Sequence, residues 1–294
     1  MSRGLSINFY GFWDSFKPEQ FLEHHPYLRG RYHLEVSDDP DFAICGVFKD
    51  GRTLPDRAVK IAYITENVLP DLDRFDWAVS FSHFDPAHPR HLRLPLYAWY
   101  VRQFNGSLDA LIRQPDERPG FHRPGFCNFV FRNPMCKPRN ELFRRLSQYK
   151  HIDAPGTLMN NMPRLQQFPG EGDSPAKQRF ARGYKFTIAY ENASSPGYTT
   201  EKITDAMMAR SIPIYWGNPL VHLDFNPRSF LNRHDFASDQ AFIDRIIEVD
   251  SNDDLYESIF REPYWHDNRV PSAISDEVCL AFWDRIFASV PARV

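Results

Sequence analysis

The chain has 294 residues, an ordinary globular composition (42% hydrophobic, 25% charged) and a formal net charge of −3. That length predicts two domains or one large one, with enough core to need no disulfide staple. Lys+Arg 35 against Asp+Glu 38 lacks the basic footprint of a general nucleic-acid binder, and no run approaches the ~18 apolar residues of a membrane span.

In chain order, apolar runs rich in Ile, Val, Phe and Tyr alternate with helix-period segments, the pattern of α/β units built on parallel sheets. The N-terminus enters strand-like sequence without the apolar stretch of a signal peptide. Strands are predicted over residues 6–10, 42–48, 59–64 and 77–81, with a short helix or loop over 18–24. Residues 114–123 (QPDERPGFHR) are polar and rich in Pro and Arg, and read as a linker between two domains. The pattern then restarts with an apolar run over 126–131 and a helix over 139–149 that carries Leu142, Phe143 and Leu146 on one face. A loop over 154–174 follows, then strand 186–190, helix 200–209, strand 212–216 and helices over 241–249 and 253–260. A last amphipathic helix over 273–289 carries Val278, Cys279, Phe282, Trp283 and Ile286. The four cysteines (Cys45, Cys127, Cys136, Cys279) form no Cys-x-x-Cys pair and read as small buried hydrophobes in a reducing compartment.

The chemistry concentrates in KFTIAYENASSPGYTTEKITDAMMARSIPIYWGNP, residues 185–219. A strand breaks at Glu191-Asn192, turns through Ser194-Ser195-Pro196-Gly197, and restarts as a helix for which Thr199 or Thr200 is the predicted N-cap. In a parallel sheet this turn falls at the carboxyl edge of the strands, where ligands bind. The helix N-terminus offers free N–H groups and positive potential to an anion. Lys202 puts a cation in the first turn, where the dipole alone disfavours one, and that choice makes sense opposite a phosphate. Glu201 suits a helix start and could also accept hydrogen bonds from a ribose diol. Read alone, the same residues also describe a capped helix with two solvated charges. A dinucleotide fingerprint is absent, because Gly170 and Gly172 fall in a Pro-rich loop, and no Walker-type Gly-Lys-Ser/Thr occurs.

The segment GYTTEKITDA…SIPIYWGNP, with YEN before it, closely resembles the donor-binding motif of the α1,3-fucosyltransferases (glycosyltransferase family 10). YITENVLPDLDRFDWAVSF followed by HLRLPLY resembles the family's first domain; FVFRNPMCKPRNELFRRL and LDFNPRSFLNRHDF resemble parts of its donor domain. The resemblance implies the GT-B fold, two Rossmann-like α/β domains facing a central cleft. Domains are expected over 1–118 (acceptor) and 119–268 (GDP-L-fucose), with a C-terminal helix over 269–294 crossing back. Arg139 and Lys202 then correspond to the family's phosphate-neutralising cations, Asn192, Tyr198 and Glu201 to its other donor-site residues, and Glu66 to its proposed catalytic base. Two cations flanking a pyrophosphate stabilise charge that grows as the sugar–phosphate bond breaks. An inverting transfer also needs a base on the acceptor hydroxyl. Thr65 stands where a Gly often precedes that Glu.

The implied activity is transfer of L-fucose from GDP-L-fucose to a GlcNAc-containing glycan, giving an α1,3, Lewis-type product as in bacterial members that decorate lipopolysaccharide. No cofactor is implied, and stimulation by a divalent metal stays open. The implied location is cytoplasmic, with peripheral association at the inner membrane left open. His83, His88 and His91 lie near Asp85 but in a Pro-containing loop without i, i+4 spacing, so no metal site is expected there. For Glu191 and Asp205, the resemblance implies cations and helix dipoles in place of a metal. Two other readings share the fold: a GT-B transferase with another nucleotide sugar, and a catalytically silent nucleotide-binding protein, the latter prompted by Thr65.

Overall fold

A computed structural model describes residues 3–84, 87–114, 123–165 and 173–290. The chain divides into two compact units, residues 1–108 with 271–294, and residues 109–270. The predicted linker lies almost wholly outside the described residues, as does the expected boundary at 118/119.

The first unit is a six-stranded parallel sheet: β1 (Arg3–Tyr10), β2 (Tyr32–Val36), β3 (Phe42–Cys45), β4 (Val59–Tyr63), β5 (Trp77–Ser80) and β6 (His91–Arg93), in the order β2-β1-β3-β4-β5-β6. Helices α1 (Pro18–His24) and α2 (Leu96–Asn105) belong to it. Every residue of β3 is buried, as a strand covered on both faces requires. The unpredicted β2 is an edge strand whose Tyr-His-Leu-Glu-Val sequence leaves three of its residues exposed, so its apolar pattern is weak.

The second unit has a five-stranded parallel sheet of β7 (Gly125–Asn128), β8 (Ile152–Asp153), β9 (Tyr184–Tyr190), β10 (Ile212–Trp216) and β11 (Leu231–Asn232), in the order β11-β10-β9-β7-β8. Its helices are α3 (Lys137–Leu146), α4 (Asp173–Ala181), α5 (Glu201–Met208), α6 (Asp239–Ser251) and α7 (Asp253–Phe260). Helix α4 overlaps the end of the segment read as a loop. The apolar run expected over 126–131 is a strand only to Asn128. The core gathers Phe129, Phe186, Ile188, Ile214, Phe242 and Ile246 around the sheet.

The last helix, α8 (Asp276–Ala288), packs in the first unit. Trp283 meets Phe21 edge-on at 5.2 Å, and Phe287 meets Phe42 at 5.1 Å. The start of the helix is anchored by Arg102, which pairs with Asp276 at 2.7 Å and donates to the Ile274 carbonyl at 2.8 Å. Among the described residues, no helix is long and apolar enough to cross a membrane.

Behind β4 lies a buried polar cluster. The Tyr63 hydroxyl stands 3.0 Å from His25 Nε2 and 3.4 Å from His24 Nδ1, and His25 Nδ1 is 2.5 Å from the Tyr27 hydroxyl. Burial lowers the His24 pKa to about 4 and holds that of His25 well below its ordinary value. Both imidazoles are therefore neutral in the folded chain and gain protons on unfolding, so their stabilising effect is complete above the unfolded histidine pKa and is lost as pH falls. Between about pH 7 and about pH 5, His24 alone accounts for a loss of about 2 kcal/mol. Urea titrations at the two pH values should show a smaller acid-induced loss in His24→Gln than in the wild type; an unchanged loss would place the protonation elsewhere.

Candidate active site

The strand order of the second sheet reverses between β7 and β9: from β7 the chain adds β8 on one side, then crosses to build β9, β10 and β11 on the other. Ligands of open parallel sheets bind outside the carboxyl ends of strands at such a reversal. A cavity of about 200 Å³ lies there, walled by Asn128 at the end of β7 and Phe131 and Asn133 after it, by Thr187 and Asn192 from β9 onward, and by Glu201, Lys202 and Asp205 of α5.

The loop from β9 to α5 is built by local rules. Tyr198 N–H donates to the Ser195 carbonyl at 3.1 Å, and Gly197 takes a φ of +83°. Pro196 at the second position and a glycine with positive φ at the third are the requirements of a type II turn. Asn218, just past β10, locks the turn: its Oδ1 accepts from Gly197 N–H at 2.7 Å and Leu220 N–H at 2.8 Å, and its Nδ2 donates to Thr199 Oγ1 at 3.0 Å.

Of the two predicted N-cap residues the structure selects Thr200, but it gives the side chain a different role. Thr200 holds the N-cap position, but its hydroxyl makes no capping bond. It donates instead to Glu191 Oε2 at 2.7 Å, while Glu191 Oε1 accepts the Thr200 backbone N–H at 2.7 Å. A fully buried carboxylate from the end of β9 thus sits at the helix start, where the dipole favours negative charge. Lys202 answers it, with Nζ 3.2 Å from Glu191 Oε2, 3.6 Å from Glu201 Oε1 and 2.9 Å from Thr200 Oγ1. Burial disfavours the ammonium, but the two carboxylates outweigh it and raise its pKa. Burial likewise pushes the Glu191 carboxyl up, against the pull of Lys202. For Glu201 the balance falls the other way: Lys202 and Lys177 overcome burial and lower its pKa.

Arg139, in the first turn of α3, is fully buried with its guanidinium over the Phe131 ring at 4.0 Å. It donates to Asn192 Oδ1 at 3.0 Å, to the Asn133 carbonyl at 2.5 Å and to the Tyr190 carbonyl at 3.4 Å, and among the described residues its Nε has no hydrogen-bond partner. All three acceptors are neutral, so its charge is not cancelled by a contacting carboxylate. Burial lowers its pKa.

Asn192, Glu201 and Lys202 therefore share the cavity wall, while Arg139 stands directly behind Asn192 and Phe131. Tyr198 is buried in the turn and is not on that wall. Glu66 lies in the first unit, exposed, three residues past β4, with its carbonyl accepting from Val68 N–H at 2.7 Å. Sequence reasoning passed over Glu191 as an ion-pair partner, Asn218 as the turn's lock, and Asn128 and Lys177 altogether. Among the described residues, no group of three or more His, Cys, Asp or Glu side chains is placed to hold a metal ion. Asp85 lies outside the description, and His91 instead pairs with Ser80 Oγ at 2.8 Å.

Two parallel α/β units in one chain, one carrying a charged cavity at its strand reversal, have the GT-B architecture of nucleotide-sugar transferases. Residues 125–282 match the glycosyltransferase family 10 (fucosyltransferase) C-terminal domain, and residues 7–100 the α-(1,3)-fucosyltransferase FucT N-terminal domain. The chain belongs to glycosyltransferase family 10. It is 32% identical over 229 residues to α-(1,3)-fucosyltransferase FucT of Helicobacter pylori, covering 68% of this chain and 46% of that protein. It is 30% identical over 187 residues to α-(1,3)-fucosyltransferase B of Drosophila melanogaster, covering 60% of this chain and 42% of that one. The chain thus spans about half the length of these curated relatives. A crystal structure of an α1,3-fucosyltransferase with GDP matches at a TM-score of 0.80 and 25% identity, covering 99% of this chain and 92% of the other. One with GDP-fucose matches at 0.79 and 25%, covering 100% and 94%.

Gly217 has a steric reason to be glycine, since a Cβ there would lie 2.4 Å from Glu191 Cγ and 2.7 Å from its Cβ. Gly217→Ala should cost about 1–3 kcal/mol by forcing Glu191 off the helix start. Thermal denaturation checks this, and a wild-type melting temperature would mean that Glu191 moves freely.

Proposed function

We propose that the chain transfers L-fucose from GDP-L-fucose to a hydroxyl of a GlcNAc-containing glycan, forming an α1,3 linkage with inversion at the anomeric carbon. The observation that carries this reading is the pair of cations at the β7–β9 reversal: Lys202 on the cavity wall and Arg139 behind Asn192 with only neutral acceptors. It is supported by membership of the fucosyltransferase family and by the likeness to structures solved with GDP and GDP-fucose.

In this reading the second unit binds the donor. Lys202 and the first turn of α5 meet the pyrophosphate while Arg139 adds its charge from behind Asn192, Glu201 accepts from the ribose diol, Asn192 lines the site around the sugar phosphate, and Tyr198 contributes through the turn it packs in. The first unit holds the acceptor. The acceptor oxygen forms its bond to the fucosyl carbon as the bond from that carbon to the phosphate oxygen breaks. The hydroxyl proton passes to the Glu66 carboxylate and the electron pair leaves with GDP. The cations act on charge that is larger in the transition state than in the ground state. They take the part a metal plays elsewhere, so divalent ions would modulate the rate without being required. Four buried, free cysteines agree with a reducing, cytoplasmic location.

Removing Lys202 also strips Glu191 of its counter-charge, so the test separates the two effects. Lys202→Gln should weaken GDP binding about 10- to 100-fold and lower stability by up to about 3 kcal/mol. Adding Glu191→Gln should restore stability but not GDP affinity. Calorimetric titration of both variants checks this, and recovery of affinity in the double variant would make Lys202 a structural partner only. Glu66→Gln should keep GDP affinity while turnover falls about 100-fold or more, read by product formation from GDP-fucose over an acceptor panel with linkage analysis. Near-normal turnover would remove Glu66 as the base.

A further inference from the structure

The cavity continues along α5 beyond the residues assigned to phosphate and ribose. Glu201 and Asp205 lie one turn apart on the same face of the helix, and both line it. Asp205 is buried, and each of its carboxylate oxygens receives one hydrogen bond from α4: Oδ1 from Gln178 Nε2 at 2.8 Å and Oδ2 from Ser174 Oγ at 3.1 Å. A carboxylate oxygen has room for a second donor, so one acceptor position remains on each. Burial pushes the Asp205 carboxyl up to about 7, while the Lys177 ammonium pulls toward the charged form.

A second, independent observation comes from the sheet. Asn128, at the carboxyl end of β7, is fully buried and lines the same cavity. Its Nδ2 donates to the Phe186 carbonyl at 3.2 Å and to Thr187 Oγ1 at 2.8 Å, yet among the described residues its Oδ1 has no hydrogen-bond partner. The carbonyl can only accept, so the amide cannot be turned the other way. An orphaned buried acceptor is costly unless a ligand fills it.

We infer that this end of the cavity reads the nucleobase of the donor, with Asp205 and Asn128 selecting guanine. The inference rests on the reading of the cavity as the donor site. Guanine presents three N–H hydrogens at its ring N1 and 2-amino group, and the cavity supplies three unfilled acceptor positions: two on Asp205 and Asn128 Oδ1. Adenine places a lone pair at N1, which a carboxylate repels, and hypoxanthine lacks the 2-amino group. With the pyrophosphate at the start of α5 and the ribose at Glu201, one helical turn (~5.4 Å) brings the base to Asp205.

The test is calorimetric titration of the full chain with GDP, IDP (no 2-amino group), XDP (a carbonyl in its place) and ADP. The wild type should bind GDP about tenfold or more tighter than IDP, and ADP and XDP more weakly still. In Asp205→Asn the preference for GDP over IDP should collapse, and XDP should gain about tenfold, because the new amide N–H donates to the xanthine carbonyl. Asn128→Ala should narrow the GDP-to-IDP ratio without the gain for XDP, and it decides the matter if Asp205→Asn does not fold. Equal wild-type affinity for GDP and IDP overturns the inference, as does a folded Asp205→Asn that keeps the wild-type ratio. Such a result, with GDP binding still dependent on Lys202 in a Glu191→Gln background, would leave the donor reading intact. A wild type that binds neither GDP nor GDP-fucose overturns both.

Discussion

The Glu191 carboxylate, with no exposure to solvent, organises the cavity end of the second unit. It follows directly on one strand, receives the N–H and the hydroxyl of the next helix's N-cap residue, and draws Lys202 into that helix's first turn. A charge buried this completely is tolerable only where hydrogen bonds and a counter-charge answer it, and here both come from α5. Gly217, too small to crowd the carboxylate, and Asn218, which pins the turn, follow from the same requirement.

The two cations of the site are held in opposite ways. Lys202 stands among carboxylates that keep it protonated, whereas Arg139 is held by carbonyl oxygens and an amide and keeps its charge uncancelled by contact. The position of Lys202 is therefore set by ion pairing, and the Arg139 fork is rigidly placed over an aromatic ring. Neither side chain is loose, and charges fixed in advance are the condition under which a protein site favours a transition state over water.

Much of this was legible in one dimension. The alternation of buried strands with helix-period segments placed β4, β5, β9 and β10 within a residue or two of where they lie, and β1 within three, because strands covered on both faces read as continuous apolar runs. The Ser-Pro-Gly turn and the helix start at Thr200 followed from turn chemistry alone. The edge strand β2 was missed because solvent on its exposed positions lets polar residues in, and α4 was missed because it emerges from a loop-like segment with little apolar periodicity. The capping hydroxyl expected of Thr200 was claimed instead by a carboxylate nine residues earlier, a competitor that local preference cannot register.

By itself the sequence determined the central buried strands and several of the helices, the turn that opens α5, and, through its motifs, the family and the residue types of the site. Tertiary structure alone decided the partners: that Glu191 faces Lys202, that Arg139 is held by neutral oxygens, and that Asn128 and Asp205, 77 positions apart in the chain numbering, wall one cavity. Periodicity and turn preferences are encoded over a few neighbouring residues. The electrostatic character of a buried charge depends on groups that approach it only when the sheet has assembled in its crossed strand order.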